Sequence, residues 1–209
     1  MKSIEVLKKC LLGKALRGDI VLVEYSSNYP VERLVWEDTV PLMKSSGELV
    51  VCDFFGIGET FFRKYVRRLP GREYSRFIEL LRGIKIVKVG PGTATYGEVI
   101  EELVPTYDPH IFLRNYHSIM GKVSRMPQKP KYFVSFGLGH YIHFNPDEAV
   151  KSLLTAITNI PMEDLLSVHF INTDILDRKH LAIMEELATF VIRASEGGLS
   201  VIKDGGIGD

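Results

Sequence analysis

Residues 19–43 read DIVLVEYSSNYPVERLVWEDTVPLM. A β-type apolar run, 20–24, meets a polar turn, Ser26-Ser27-Asn28, and a helical pattern opens at Pro30-Val31. Strand, tight loop and helix N-terminus make the frame on which phosphate is bound, because the first amides of a helix point at the anion. A working loop of this type reads G-x-x-x-x-G-K-[ST]. Its glycines let the backbone curl round phosphate, its lysine neutralises the terminal phosphates and its hydroxyl holds Mg²⁺. Here Tyr25 and Pro30 stand at the glycine positions, Val31 at the lysine and Glu32 at the hydroxyl. Pro30 removes an N–H from the cradle, and Glu32 adds negative charge beside it. These replacements argue against ATP hydrolysis. Ser26, Ser27 and Asn28 can still hold a weak anion or another polar ligand, and they serve equally as turn and capping residues.

A second candidate is VVCDFFGIGETFF, residues 50–62. Nucleotide and S-adenosylmethionine sites use an acidic residue and spaced glycines after a strand, since glycine lets a ligand approach the backbone. Asp53, Gly56 and Gly58 are one residue out of phase with that spacing, and Glu59 and Thr60 follow. The alternative to a non-hydrolysing protein is therefore a cofactor-binding transferase, of adenosine or S-adenosylmethionine type, using residues 53–60. The plainer reading is a strand-to-helix turn with Thr60 near the helix start.

A third is GLGHYIHF, with His140 and His143. On a strand this spacing sends the rings to opposite faces; on a helix they share one, as a metal needs. The glycines and Tyr141 favour loop or strand, and Asp147 and Glu148 fit helix capping, so no metal is expected. His110, His117, His169 and His180 are scattered and read as structural. No G-x-S-x-G elbow or paired histidine motif marks a serine or cysteine nucleophile.

The chain behind these candidates has 209 residues, 45% hydrophobic and 25% charged, enough for one sizeable α/β core. Basic and acidic residues number 26 each, so net charge gives no case for nucleic acid or an anionic membrane. Cys10 falls in an apolar helical pattern and Cys52 within a strand, which reads as two buried, reduced thiols. The opening is charged throughout and lacks the apolar core of a signal peptide. No apolar run approaches the roughly 20 residues that span a bilayer. A cytoplasmic protein is expected.

In chain order, Ser3 can cap a first helix, and Gly18-Asp19 breaks it before the first strand. The helix after the central loop places Val31, Leu34, Val35 and Met43 inward and Arg33, Glu32, Glu37 and Asp38 outward, with Pro41 ending or kinking it. Residues 48–55 are a strand covered on both faces. A helix runs to Pro70-Gly71, with Arg63, Lys64, Arg67, Arg68 and Arg72 as a solvated basic face. Residues 72–81 read as a helix, 84–89 as a strand, 96–103 and 111–123 as helices, and 126–130 as a polar connection. Residues 131–136 are a strand, and Asn145-Pro146 starts a helix that frays at 159–161. Residues 167–172 are a strand, and Asp174 or Asp177 starts the next helix. Residues 189–194 and 199–203 flank a glycine turn and read as a hairpin. Apolar strands alternating with helices imply a parallel sheet with helices on both faces, whose ligands sit beyond the strands' carboxyl ends.

GDIVLVEYSSNYPVERLVW resembles the opening of the RecA/KaiC-type P-loop ATPases with its binding residues replaced. KYFVSF resembles their later apolar strand, with Ser135 near the place of the metal-linked Asp. Residues 167–203 resemble their closing strand, helix and hairpin, and Asn172 or Thr173 falls where that family often keeps a phosphate-sensing polar residue. The pattern also resembles an uncharacterised, domain-of-unknown-function family of hyperthermophilic archaea. The resemblance implies a three-layer RecA-like fold with a mostly parallel sheet, a strand order near 3-2-4-5-1-6-7 and a C-terminal β-hairpin. It carries over no ATPase activity.

The expected protein is thus a single RecA-like domain over 1–204 with a disordered tail at 205–209. It acts as a scaffold, interaction or small-ligand-binding protein without cofactor. Its partner is another protein or itself, as a homo-oligomer.

Overall fold

The computed structural model describes residues 2–127, 131–159 and 165–205. Among these, one sheet contains β1 (Ile20–Tyr25), β2 (Glu48–Phe54), β3 (Lys85–Val89), β4 (Glu98–Leu103), β5 (Lys131–Phe136), β6 (Leu165–Asn172), β7 (Phe190–Ser195) and β8 (Gly198–Asp204). Their spatial order is β4-β3-β2-β5-β6-β1-β7-β8. All neighbours are parallel except β7 and β8, which form the antiparallel hairpin. With β4 set aside, the order is the 3-2-4-5-1-6-7 that the resemblance implies. β1 and β5 are buried along their whole length, which is why they are almost unbroken apolar runs.

One face of the sheet is covered by α1 (Lys2–Lys8), α2 (Val31–Arg33), α3 (Val40–Ser46), α4 (Ile57–Val66) and α5 (Gly71–Leu81). The other is covered by α6 (Pro109–Ser124), α7 (Leu138–Phe144), α8 (Pro146–Asn159) and α9 (Arg178–Leu187). Trp36 centres the first core, edge-on to Phe62, Phe77 and Tyr96 at ring-centre distances of 5.9, 6.0 and 5.1 Å. Cys10 and Cys52 are free and buried.

Several expectations change. Residues 96–103 form no helix: Glu98–Leu103 is β4, an edge strand parallel to β3. The segment 90–97 returns the chain without a helix, and it is held tightly. A Cβ at Gly97 would lie 2.6 Å from the Ile84 carbonyl oxygen. Lys88 then pairs with Glu102 at 3.1 Å, and Lys85 with Glu98, tying the acidic residues across the two strands. Residues 138–144 are helical, not loop or strand, because Gly137 takes a left-handed conformation (φ 76°) that turns β5 straight into α7.

Glu32 is buried, not outward, and Arg68 reaches it. Pro41 does not end its helix. Leu34–Thr39 is a π-helical stretch between α2 and α3, and Pro41 sits in the first turn of α3, where a missing N–H costs little. Asp177, whose carboxylate accepts the His180 amide at 2.9 Å, caps α9. The expectations for Pro130, Ile160-Pro161 and the tail beyond Gly205 fall outside the described residues, and the Ser3 side chain that would cap α1 is likewise not described.

Candidate functional site

The carboxyl end of β1 lies between the ends of β6 and β7, so the turn at 26–28 faces Asn172-Thr173-Asp174 on one side and the hairpin on the other. The Thr173 amide donates to the Tyr25 carbonyl at 2.9 Å and extends the β1–β6 ladder past the strand ends. Asp174 Oδ2 accepts the Ser27 amide at 2.7 Å. Asn172 Nδ2 donates to Ser27 Oγ at 3.1 Å, and its Oδ1 accepts the Asp174 amide at 3.0 Å. Two further amides turn inward: Tyr29 donates to the Ser26 carbonyl at 3.0 Å and Val31 to that of Tyr29 at 2.8 Å. Pro30 has no amide hydrogen. The turn that resembles a phosphate cradle thus directs the amides of Ser27, Tyr29 and Val31 at protein acceptors, one of them a carboxylate.

Beside this turn is a cleft of about 480 Å³ lined by Ser26, Asn28, Tyr29, Thr173, Glu24 and Arg193, among others. Glu24 is completely buried, and Arg193 donates to its Oε2 through Nε at 2.9 Å and Nη2 at 2.7 Å. Its Oε1 has no donor among the described residues. Burial, and then the neighbouring Glu185 carboxyl, push the Glu24 carboxyl up against the pull of Arg193. Tyr29, Glu24 and Arg193 were not marked by the sequence reading. A charged residue at the end of an otherwise apolar strand was the available signal.

Asp53, Gly56, Gly58, Glu59 and Thr60 form a separate cluster at the end of β2. Gly56 is left-handed (φ 70°) and turns the chain into α4. Asp53 is buried and accepts the Gly58 amide at 2.8 Å, the Glu59 amide at 3.1 Å and the Tyr96 hydroxyl at 3.0 Å. Burial holds its carboxyl at about 6, against those donors, which pull the other way. Tyr96 is pushed well above the usual phenol value, by burial first and then by Asp53. Glu59 accepts the Thr95 amide at 2.7 Å and Arg63 Nε at 2.7 Å. Thr60 Oγ1 donates to the Gly56 carbonyl at 3.0 Å. A Cβ at Gly58 would fall 2.4 Å from the Tyr96 hydroxyl and 2.8 Å from Phe136, so the close approach permitted by this glycine is to the protein's own side chains.

Ser135 joins neither cluster. Strand alternation turns it to the face opposite Asp53, where its Oγ lies 2.7 Å from Nδ1 of His169. His140 and His143 share α7; His143 Nδ1 is 2.9 Å from the Ile175 carbonyl oxygen, and burial lowers His140. Asp147, expected to cap, pairs with Lys179 at 3.3 Å. Among the described residues no group of three or more His, Cys, Asp or Glu side chains is placed to hold a metal ion. No described helix is long and apolar enough to cross a membrane.

A mostly parallel sheet in this order, with β1 central and a closing hairpin, defines an α/β domain of the RecA type. The chain belongs to the family described as "Pyrococcus protein of unknown function, DUF257", whose model matches residues 11–203. Its structure is similar to that of PH0250 from Pyrococcus horikoshii OT3, with TM-score 0.73 and 21% identity over 99% of this chain and 94% of that one. PH0321 from Pyrococcus horikoshii, described as uncharacterised and in complex with an unknown peptide, matches with TM-score 0.57 and 15% identity over 96% and 89%. The KaiC-like protein PH0186 from Pyrococcus horikoshii OT3 matches with TM-score 0.53 and 14% identity over 90% and 80%. At these identities the similarity shows the shared RecA/KaiC-like fold. No functionally curated protein matched the chain.

Proposed function

We propose that this chain is a non-hydrolysing RecA/KaiC-like domain that works by binding, as a scaffold or receptor for a protein segment or small polar ligand at the end of β1. The observation that carries this is the Ser27 amide held by the Asp174 carboxylate at 2.7 Å. An intramolecular anion occupies a donor that a phosphate would need, and a second negative group there adds repulsion. Glu32, at the position of the metal-holding hydroxyl, is committed to Arg68 at 2.9 Å. The cleft next to the turn offers the half-exposed Arg193 guanidinium, Tyr29, Ser26 and Asn28 together, which suits a ligand with both donors and acceptors, as a peptide has. The peptide found with PH0321 supports a protein segment as the class of partner. The free, buried Cys10 and Cys52 support a reducing, cytoplasmic setting.

The test is a thermal-shift titration with ATP and Mg²⁺. No change in Tm is expected at millimolar nucleotide. A saturable, Mg²⁺-dependent rise would overturn the proposal, because anything that binds the native state alone must stabilise it.

A further inference from the structure

On the face of the sheet opposite α4, a cavity of about 80 Å³ runs from the sheet surface out between α6 and α8. Its walls are apolar almost throughout. Its floor is not. Cys52 on β2 is paired in register with Ser135 on β5, and Ser135 with His169 on β6, so three polar side chains form a row across neighbouring strands. All three line the cavity. Ser135 Oγ and His169 Nδ1 are engaged with each other at 2.7 Å. Nε2 of His169 has no partner among the described residues, which leaves one imidazole nitrogen for whatever the cavity holds. Val104, 82% exposed, lines the same cavity and marks its mouth at the chain leaving β4.

We propose that this cavity is a binding site for a small, neutral aliphatic molecule carrying one hydroxyl group, whose oxygen pairs with His169 Nε2. Size sets the scale. A cavity of roughly 150 Å³ holds benzene, so this space suits roughly three or four non-hydrogen atoms. The apolar walls exclude a charged head group, which has no counter-ion here. A hydroxyl both donates and accepts, so it satisfies Nε2 in either tautomer set by Ser135.

The site binds and does not hydrolyse. Ser135 lies inside a strand laddered on both sides by β2 and β6, so no pair of free amides stands beside its Oγ to stabilise an oxyanion. Burial also holds His169 at about 4, too low for an effective base near neutral pH. The cavity shares no lining residue with the cleft at the end of β1, so its occupancy is independent of the function proposed above.

The experiment titrates the full chain, labelled with ¹⁵N-histidine, with propan-1-ol, propane and sodium propanoate at pH 7. Propan-1-ol should bind saturably, roughly two- to tenfold tighter than propane, the worth of one hydrogen bond. It should move the His169 Nε2 resonance, while propanoate leaves the spectrum unchanged. His169→Phe should bring the alcohol-to-alkane ratio to about one while keeping propane binding. Ala156→Leu, which narrows the cavity, should weaken both ligands. Absence of binding by propan-1-ol, equal affinity for alcohol and alkane in the unmodified chain, or an alcohol response that spares His169 would each overturn the proposal.

Discussion

Arg68 donates through Nη1 to Glu32 Oε1 at 2.9 Å, joining a side chain 70% exposed to one only 7% exposed. The buried partner depends on the exposed one. Removing the guanidinium leaves the Glu32 carboxylate desolvated and without that donor. Arg68→Met should therefore cost about 1–2 kcal/mol. Glu32→Gln, which keeps an acceptor and removes the charge, should cost less. Urea unfolding of both variants at pH 7 ranks them, and the reverse order would contradict this account of the pair.

Asp174 closes the turn at the end of β1. Asp174→Ala should lower stability by about 1 kcal/mol, the net worth of one backbone hydrogen bond to a side chain. It should not create nucleotide binding, since Pro30, Val31 and Glu32 remain as they are. Chemical denaturation together with a nucleotide titration of the same variant tests both halves.

Asp53 makes stability depend on pH. Its carboxyl sits at about 6 in the folded chain, above its ordinary value of 3.8. The folded state therefore holds this proton more tightly than the unfolded state does. The resulting stabilisation is complete below about pH 4 and fades as pH rises through 6, amounting to about 2–3 kcal/mol for this group alone. Asp53→Asn cannot titrate. The difference in unfolding free energy between the natural chain and this variant should change across pH 4–6 and be level from pH 7 to 8. A difference that stays constant across pH 4–6 would show that Asp53 is not the group responsible.

Gly58 is a packing glycine. A methyl there meets the Tyr96 hydroxyl, Phe136 and an Asp53 oxygen, at 2.4, 2.8 and 2.9 Å. Gly58→Ala should cost about 1–3 kcal/mol, the usual penalty of overpacking. Gly121→Ala serves as the control, because a Cβ there meets nothing within 4 Å and Gly121 lies within α6. The control should leave stability unchanged or raise it slightly.

Most strands were legible because buried parallel strands write themselves as apolar runs, and residues 20–24, 131–136 and 167–172 do so plainly; their order followed from the resemblance to the RecA/KaiC-type ATPases, not from the runs themselves. The hairpin was legible from its glycines. β4 was not: Glu98-Val99-Ile100-Glu101-Glu102-Leu103 spaces its apolar residues as a helix would, and only its anchorage to β3 makes it a strand. α7 was hidden by Gly137 and Gly139, which read as loop residues although Gly137 is the turn that starts the helix. The candidate residues separated into groups that spacing alone does not reveal. Ser26, Ser27, Asn28, Asn172 and Thr173 meet at the end of β1, whereas Asp53 and Glu59 are bound into their own network. Ser135 and His169 become partners only once the register of β5 and β6 is known, because they lie 34 positions apart in the chain. A polar residue at matching places in two apolar strands was the one trace left in the sequence.

Because the strands from β4 across to β7 run in one direction, their beginnings gather on the rim remote from the turn at 26–28. A strand of this length separates the two rims by roughly 20 Å. Arg82, exposed in the bend between α5 and β3, belongs to the remote rim. A dye or surface tether attached there would hold the molecule with its cleft facing outward, so immobilised chains would present one uniform side to anything flowed over them.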